Sequence, residues 1–443
     1  METFFKVLSL VFLVIAIVLF FSRRKAFYKF AFVSFLLFPK VNLISVGGST
    51  TGIRFDDLLM LASFILLLPK ILSVLRKSPR LAFVHGLIIL WVVCGLISLL
   101  VGMGIGTVNS PLISVLTSIR KYEYFVAIFI GYFYFKNYSK KDFLKTIKIV
   151  TVVLLAICLL QYTHLIGGFV SGSYVSVVGF PIGVFNGAYE FACFMCIMLV
   201  ILFYNAIKKD HSCYLFCLIA LIQIVLTQSR SGLLLSVFII LAMSLFYAKK
   251  LFFAALILGG ITSVILINTT SILQRFASIE FEQMYWVFVE RIQYGVYMSA
   301  LKELPHEAMF VKVTTDLSFY VRATKWGAAI NGFTMSPIFG YGPGQLAVLD
   351  GSYVKIICEG GLISAIIFVV LLVTLFKDFN RANSSVSKWI LVSVMCFALF
   401  IDIFDSSKIM EMFWMFAGSA YAMKTIRIQV DEKVVTLKLK ESI

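Results

Sequence analysis

The stretch AYEFACFMCIMLVILFYNAI, residues 188–207, runs straight into Lys208 and Lys209. Roughly 20 predominantly apolar residues, at ~1.5 Å each, are what a helix needs to cross the ~30 Å hydrocarbon layer of a bilayer. The stretch therefore reads as a membrane span with a basic end. Working outward, further apolar runs lie near Phe143–Ile166 on one side and near Cys213–Leu226 and Leu233–Tyr247 on the other. Beyond them come Val7–Phe21, Phe30–Val46, Leu58–Leu75, Leu81–Val101, Tyr122–Phe135, Leu251–Ile267, Tyr353–Phe376, Trp389–Phe404 and Ile409–Met423. Over all 443 residues, 61% are hydrophobic and 14% charged, with a mean hydropathy of +0.99. A soluble domain has about 45–50% apolar and about 25% charged residues. Soluble, disordered, collagen-like and disulfide-stapled classes are thereby excluded. The expected fold class is an all-α polytopic membrane protein with about 12–13 transmembrane helices.

The net charge of +17 is 39 Lys and Arg minus 22 Asp and Glu, and its distribution argues against a nucleic-acid partner. Basic clusters at Arg23–Lys25, Arg76–Arg80, Lys140–Lys141, Lys208–Lys209, Lys249–Lys250, Lys377–Arg381 and Lys424–Arg427 occupy every second connection, the pattern of the positive-inside rule. Residues 1–267 then form an N-terminal transmembrane bundle, 268–352 a long outer loop, 353–423 the C-terminal transmembrane helices and 424–443 a cytoplasmic tail. Pro39 and Lys40 interrupt the second span; if it does not cross, the N-terminus changes sides. Residues 1–21 read as a retained first span rather than a cleaved leader. The eight cysteines all fall in apolar runs and read as core thiols, including the Cys193/Cys196 pair. In the long loop, Phe276, Met284, Trp286 and Phe288 alternate irregularly with charges, which predicts short helices along the membrane face.

Ionisable residues at membrane depth are costly and mark function by default. Five places qualify. Arg120-Lys121-Tyr122-Glu123 sits inside the run from Pro111 to Phe135, with more positive than negative charge. Thr227-Gln228-Ser229-Arg230-Ser231-Gly232 places an arginine, with no acidic residue in the bead, on the outside between two spans. A guanidinium grips phosphate oxygens with two parallel hydrogen bonds; a plain turn is the competing reading. Arg322 and Lys325 precede Pro337-Ile338-Phe339-Gly340-Tyr341-Gly342-Pro343-Gly344, whose backbone N–H groups could face an anion, although it lacks the ending of a nucleotide P-loop. Glu190 and Glu359, near outer span ends, fit helix–helix hydrogen bonds as well as chemistry.

Taken together, Ser229-Arg230-Ser231-Gly232 opening a span, Arg322 to Trp326 ahead of Pro337 to Gly342, and Tyr353 with Glu359-Gly360-Gly361-Leu362 after the long loop give the chain its resemblance to the O-antigen polymerase and ligase superfamily. Asn186 and Asp57, each opening a span, match more loosely. The resemblance implies a GT-C-like membrane glycosyltransferase in a bacterial inner membrane, its active site facing the periplasm. The substrate it implies is a polyprenyl-diphosphate-linked oligosaccharide, with a chain-length regulator and a flippase as partners. Ligases of this superfamily carry a His before the span that follows the loop, but here the stretch is Leu349-Asp350-Gly351-Ser352-Tyr353, which favours a polymerase. The resemblance makes Asp350 the first candidate for the base at the acceptor hydroxyl and Glu290 the second. Arg230, Arg322 and Arg120 are the candidates for holding the departing diphosphate. Lys121, Arg291, Lys325, Tyr353 and Glu359 are further candidates for binding substrate. The outside segments show no cluster with metal-ligand spacing, so neither a metal nor another cofactor is expected. A ligase-type transferase and a lipid-linked-oligosaccharide flippase or other transporter are the rival readings, but no internal repeat of the kind transporters show is visible.

Overall fold

The structure, a computed structural model, describes residues 2–40, 42–45, 52–169, 180–208, 210–253, 281–294, 317–345 and 351–423. Its helices are α1 (Glu2–Ser22), α2 (Arg24–Leu37), α3 (Phe55–Lys77), α4 (Pro79–Gly104), α5 (Pro111–Asn137), α6 (Lys140–Tyr162) and α7 (Ala188–Lys208). They continue with α8 (Cys213–Leu226), α9 (Arg230–Tyr247), α10 (Phe281–Tyr294), α11 (Leu317–Met335), α12 (Ser352–Arg381), α13 (Ser385–Phe397) and α14 over 407–423. Among the described residues six helices are long and apolar enough to cross a membrane: α3, α4, α6, α7, α9 and α12. Shorter apolar helices lie over Lys6–Ser22, Cys213–Leu226 and Ser385–Phe397. The protein is an all-α polytopic membrane protein.

Local chemistry sets the helix starts. Pro79 and Pro111 open α4 and α5, where a missing N–H costs nothing. Ser139 and Asp142 exchange side-chain-to-backbone hydrogen bonds as a capping box on α6. The Ser229 hydroxyl accepts from the Gly232 N–H at the start of α9.

The quoted stretch becomes α7, in which every side chain from Phe191 to Leu202 is at most 1% exposed. A helix apolar all round belongs at the centre, and α6, α8, α9 and α13 pack around it. Helices α5 and α14 approach backbone to backbone. A Cβ on Gly131 would strike the Met415 carbonyl, and one on Gly418 would strike that of Ile128. Small residues permit such contacts where apolar helices gain little from burial against one another in lipid.

The basic connections converge on one rim. Tyr138 donates to the Lys25 carbonyl at 2.9 Å, Arg80 meets Asp378 at 2.8 Å, Lys148 meets Asp210 at 2.7 Å, and Lys208 stands 5.2 Å over the Tyr247 ring. All eight cysteines are free thiols and seven are buried, as core thiols should be.

The second span departs from expectation. Helix α2 ends at Leu37, ahead of Pro39, and the chain then forms a two-stranded antiparallel ribbon, β1 (Asn42–Ser45) with β2 (Gly52–Arg54). Proline removes a helical donor and biases the preceding residue away from α, and here the helix stops ahead of Pro39. Of the span expected at 251–267, only 251–253 are described. In the long loop α10 and α11 pair, with Asn331 donating to the Ile292 carbonyl at 2.9 Å. Helix α11 rests on the start of α12 through Ala328, Ala329 and Cys358.

Candidate functional site

At the end of the bundle opposite the basic rim, α12 is broken. Gly361 has φ 71° and ψ −178°, so the amides of Leu362 and Ile363 no longer reach the carbonyls of Cys358 and Glu359. The Pro337–Gly344 segment takes both halves of the missing ladder. Leu362 donates to the Pro337 carbonyl at 2.9 Å and Ile363 to that of Ile338 at 3.3 Å, while Tyr341 and Gly342 donate at 3.2 Å to Cys358 and Glu359. A Cβ at Gly340 would strike the Glu359 carbonyl, and one at Gly361 that of Ile338. The glycines therefore serve backbone contact. The N–H groups of Gly340, Tyr341 and Gly342 are spent inside the protein, on the carbonyls of Ser336, Cys358 and Glu359. The segment is fastened to α4 and α5: Ser98 donates to the Glu359 carbonyl, Thr107 to that of Tyr341 at 2.7 Å and Ser114 to that of Pro343 at 2.6 Å.

Beside this break lie many buried charges. Lys355, in the first turn of α12, meets Asp402 and Asp405 at 2.5 Å each. Lys121 stands 4.6 Å over the Trp91 ring, and the Trp91 indole donates to Ser364 at 2.8 Å. A cavity of about 20 Å³ is walled by Lys121, Lys355, Glu359, Asp402 and Asp405, space for about one water molecule. Glu359 Oε1 is buried without a hydrogen-bond partner among the described residues. Asp405 lies in the 398–406 connection, outside the spanning helices. Burial acts to raise its carboxyl, but the Lys355 and Lys121 ammonium groups outweigh this and hold it below the ordinary carboxylate range.

A second group of charges adjoins the first. Lys40 holds both oxygens of Glu190 at 3.0 Å, which settles that carboxylate as half of a buried ion pair. Arg54 meets Asp56 at 3.8 Å and Asp57 at 3.5 Å. Glu123 lies in the electrostatic field of Asp57 and Asp56 as well as that of Arg54. Lys408 donates to the Phe35 carbonyl at 3.1 Å, with Glu411 one turn further along α14. Gly131 and Gly418, each about two turns below, bring α5 and α14 close enough for these charges to face one another.

Of the residues singled out in the sequence, Lys121 and Glu359 share the cavity, and Arg120 acts electrostatically on Asp405 from the same helix as Lys121. Arg322 and Lys325 are half-buried on α11; the ring of Trp326, one turn after Arg322, packs against Gly351. Arg230 begins α9, whose Gly232 abuts Ala192 of α7. The Tyr353 hydroxyl donates to the Met395 carbonyl at 2.8 Å, tying α12 to α13. Glu290 and Arg291 fall on α10, and Asp350 lies outside the described residues. Sequence reasoning passed over Lys40, Arg54, Asp56, Lys355, Asp402, Asp405, Lys408 and Glu411. The signal was present, because Asp402 and Glu411 stand inside expected spans and qualify under the same membrane-depth rule.

Chemically, the arrangement offers fixed cations and carboxylates in a water-poor setting at one end of the bundle, suited to stabilising charge that moves during a reaction. No curated protein matches the chain. Residues 215–368, from α8 through the loop helices and the broken part of α12, match a family described as O-antigen ligase.

Proposed function

We propose that the protein is a surface-polysaccharide polymerase of a bacterial inner membrane, working on the periplasmic side. It moves a growing glycan from polyprenyl diphosphate onto the non-reducing end of a lipid-linked repeat unit. The observation that carries this reading is the start of α12. There Asp350-Gly351-Ser352-Tyr353 stands where a ligase has His, and the ring of Trp326, one turn after Arg322 on α11, packs on Gly351. As the glycosidic bond forms, Asp350 takes the proton of the acceptor hydroxyl, with Glu290 as the second candidate. The bond from the sugar to the diphosphate breaks, and Arg322, Arg230 and Arg120 meet the charge that departs, with Lys121, Lys325 and Arg291 adding positive potential. Glu359 and Tyr353 support this turn from within. A chain-length regulator and a flippase are the partners such an enzyme needs.

The test is a deletion strain with ligase and flippase intact, analysed on a glycan gel. Loss of a polymerase leaves lipid-A cores capped with one repeat unit; bare cores would identify a ligase instead. Asp350→Asn, which keeps the shape and removes the base, is expected to give the same single-unit pattern, and a full ladder from it removes Asp350 from the mechanism.

Turnover by the purified enzyme is expected to persist in EDTA. Among the described residues no three His, Cys, Asp or Glu side chains stand where they could share a metal ion, and in this reading side-chain cations meet the diphosphate's charge. Loss of activity in chelator, restored by a divalent ion, contradicts this.

A further inference from the structure

The turn that follows Asp350 is hydrogen-bonded to the connection between α13 and α14. Gly351 has φ 120°, a conformation that favours glycine, and contributes no side chain of its own to fix the chain. Ser352 is bound three times to the connection between α13 and α14: its N–H donates to the Ala398 carbonyl at 2.9 Å, its hydroxyl donates to that of Ile401 at 2.9 Å, and the Ile403 N–H donates to the hydroxyl at 2.8 Å. One turn along, the Lys355 ammonium is clamped between Asp402 and Asp405 of that connection, at 2.5 Å each. The connection is anchored in turn, since Tyr124 of α5 donates to the Asp405 carbonyl at 3.3 Å and Lys40 reaches Ser406 at 3.5 Å. Lys355 is 7% exposed. Stability alone does not explain three charges there, because well-packed apolar groups of similar volume often serve a core equally well or better. What apolar groups lack is direction. An ammonium held by two carboxylates fixes the rotation of its helical turn, and residues 352 and 355 lie on one face of that turn.

We propose that Lys355, Asp402 and Asp405 form a positioning triad that sets the rotation and height of the first turn of α12, the turn that Asp350, the proposed base, directly precedes in the chain. The role rests on the polymerase reading above. None of the three touches substrate; they act through the turn.

The experiment uses the full-length protein in nanodiscs with purified lipid-linked repeat units as substrate. Lys355→Met alone leaves two buried carboxylates without their cation and can fail to fold. The deciding variant is therefore the triple Lys355→Met, Asp402→Leu, Asp405→Leu, which removes the triad's charges together and leaves Lys121 and Glu359 as the opposite charges of the cavity. It is expected to melt like the wild type and to lose about 100-fold in kcat, the effect of a misplacement on the order of 1 Å, with KM little changed. Hydrogen exchange at amides 352–356 is expected to accelerate while α7 stays protected, and Lys355→Arg should restore part of kcat to the single position. A triple variant with wild-type kcat, or one with lost kcat but unchanged exchange at 352–356, overturns the triad. Should the wild-type protein make no polymer, the polymerase reading fails, and unchanged exchange at 352–356 remains the result that overturns the triad.

Discussion

Arg230→Ala is expected to abolish the glycan ladder while the protein remains in the membrane. Arg230 is the first residue of α9, where the helix dipole favours an anion. A guanidinium there adds a charge that cannot be deprotonated and a planar fork that fits two phosphate oxygens. Removing one such contact to charge developing in the transition state costs roughly 100- to 1,000-fold in rate. Arg230→Lys should rescue only partly, because an ammonium is a point charge without the fork. Ser229→Ala separates charge from helix capping. It deletes the bond to the Gly232 N–H, a loss of about 1 kcal/mol, and should leave a ladder. Glycan gels of complemented deletion cells read all three variants. A normal ladder from Arg230→Ala removes this residue from the diphosphate site, and Arg322→Ala, tested in parallel, then has to carry the assignment.

The largest structural effect is expected from Gly361→Ala. At φ 71° an L side chain is strained by about 1–3 kcal/mol, and the added methyl would strike the Ile338 carbonyl and the Gly340 amide. Displacing that segment also breaks the four cross-bonds of the missing ladder, leaving backbone groups unpaired at membrane depth, where each such group costs several kcal/mol. The variant should fail to give a monodisperse peak after detergent extraction. Gly86→Ala is the control: it lies in α4 with open space around its Cβ and should be neutral or slightly stabilising. Wild-type melting of Gly361→Ala would mean that the break is not held as described.

What was legible in the sequence follows from periodicity and charge. Helix α7 was readable because an apolar run of membrane length ends in two lysines. Its burial on every side was also implicit, since it carries no polar stripe. The second span misled because hydropathy averages over Pro39 and Lys40, whereas the backbone responds to the proline itself; Lys40, taken as an interruption, is the partner of Glu190. The Pro337–Gly344 motif was noticed but its purpose was not. Glycines that admit a phosphate and glycines that admit another backbone look alike until the partner is known, and the partner, Glu359-Gly360-Gly361, had been read as a separate motif. Lys355 is far in the chain from Asp402 and Asp405, and all three fall at the ends of good spans, so their joining depends on a turn between α13 and α14 that hydropathy does not encode.

The exchange of hydrogen bonds at Gly361 bears on how the chain is made. Residues 352–381 cannot be a finished membrane helix when they leave the insertion machinery, because the carbonyl of Cys358 finds its donor in Tyr341 and that of Glu359 finds its donors in Gly342 and Ser98. Those donors lie earlier in the chain, so the preceding loop has been synthesised before its partner enters the bilayer. Docking of 337–344 and settling of α12 therefore belong to one step, and a fault in the loop would be met during biogenesis as a span that fails to stay in the membrane, before any defect in catalysis could be seen.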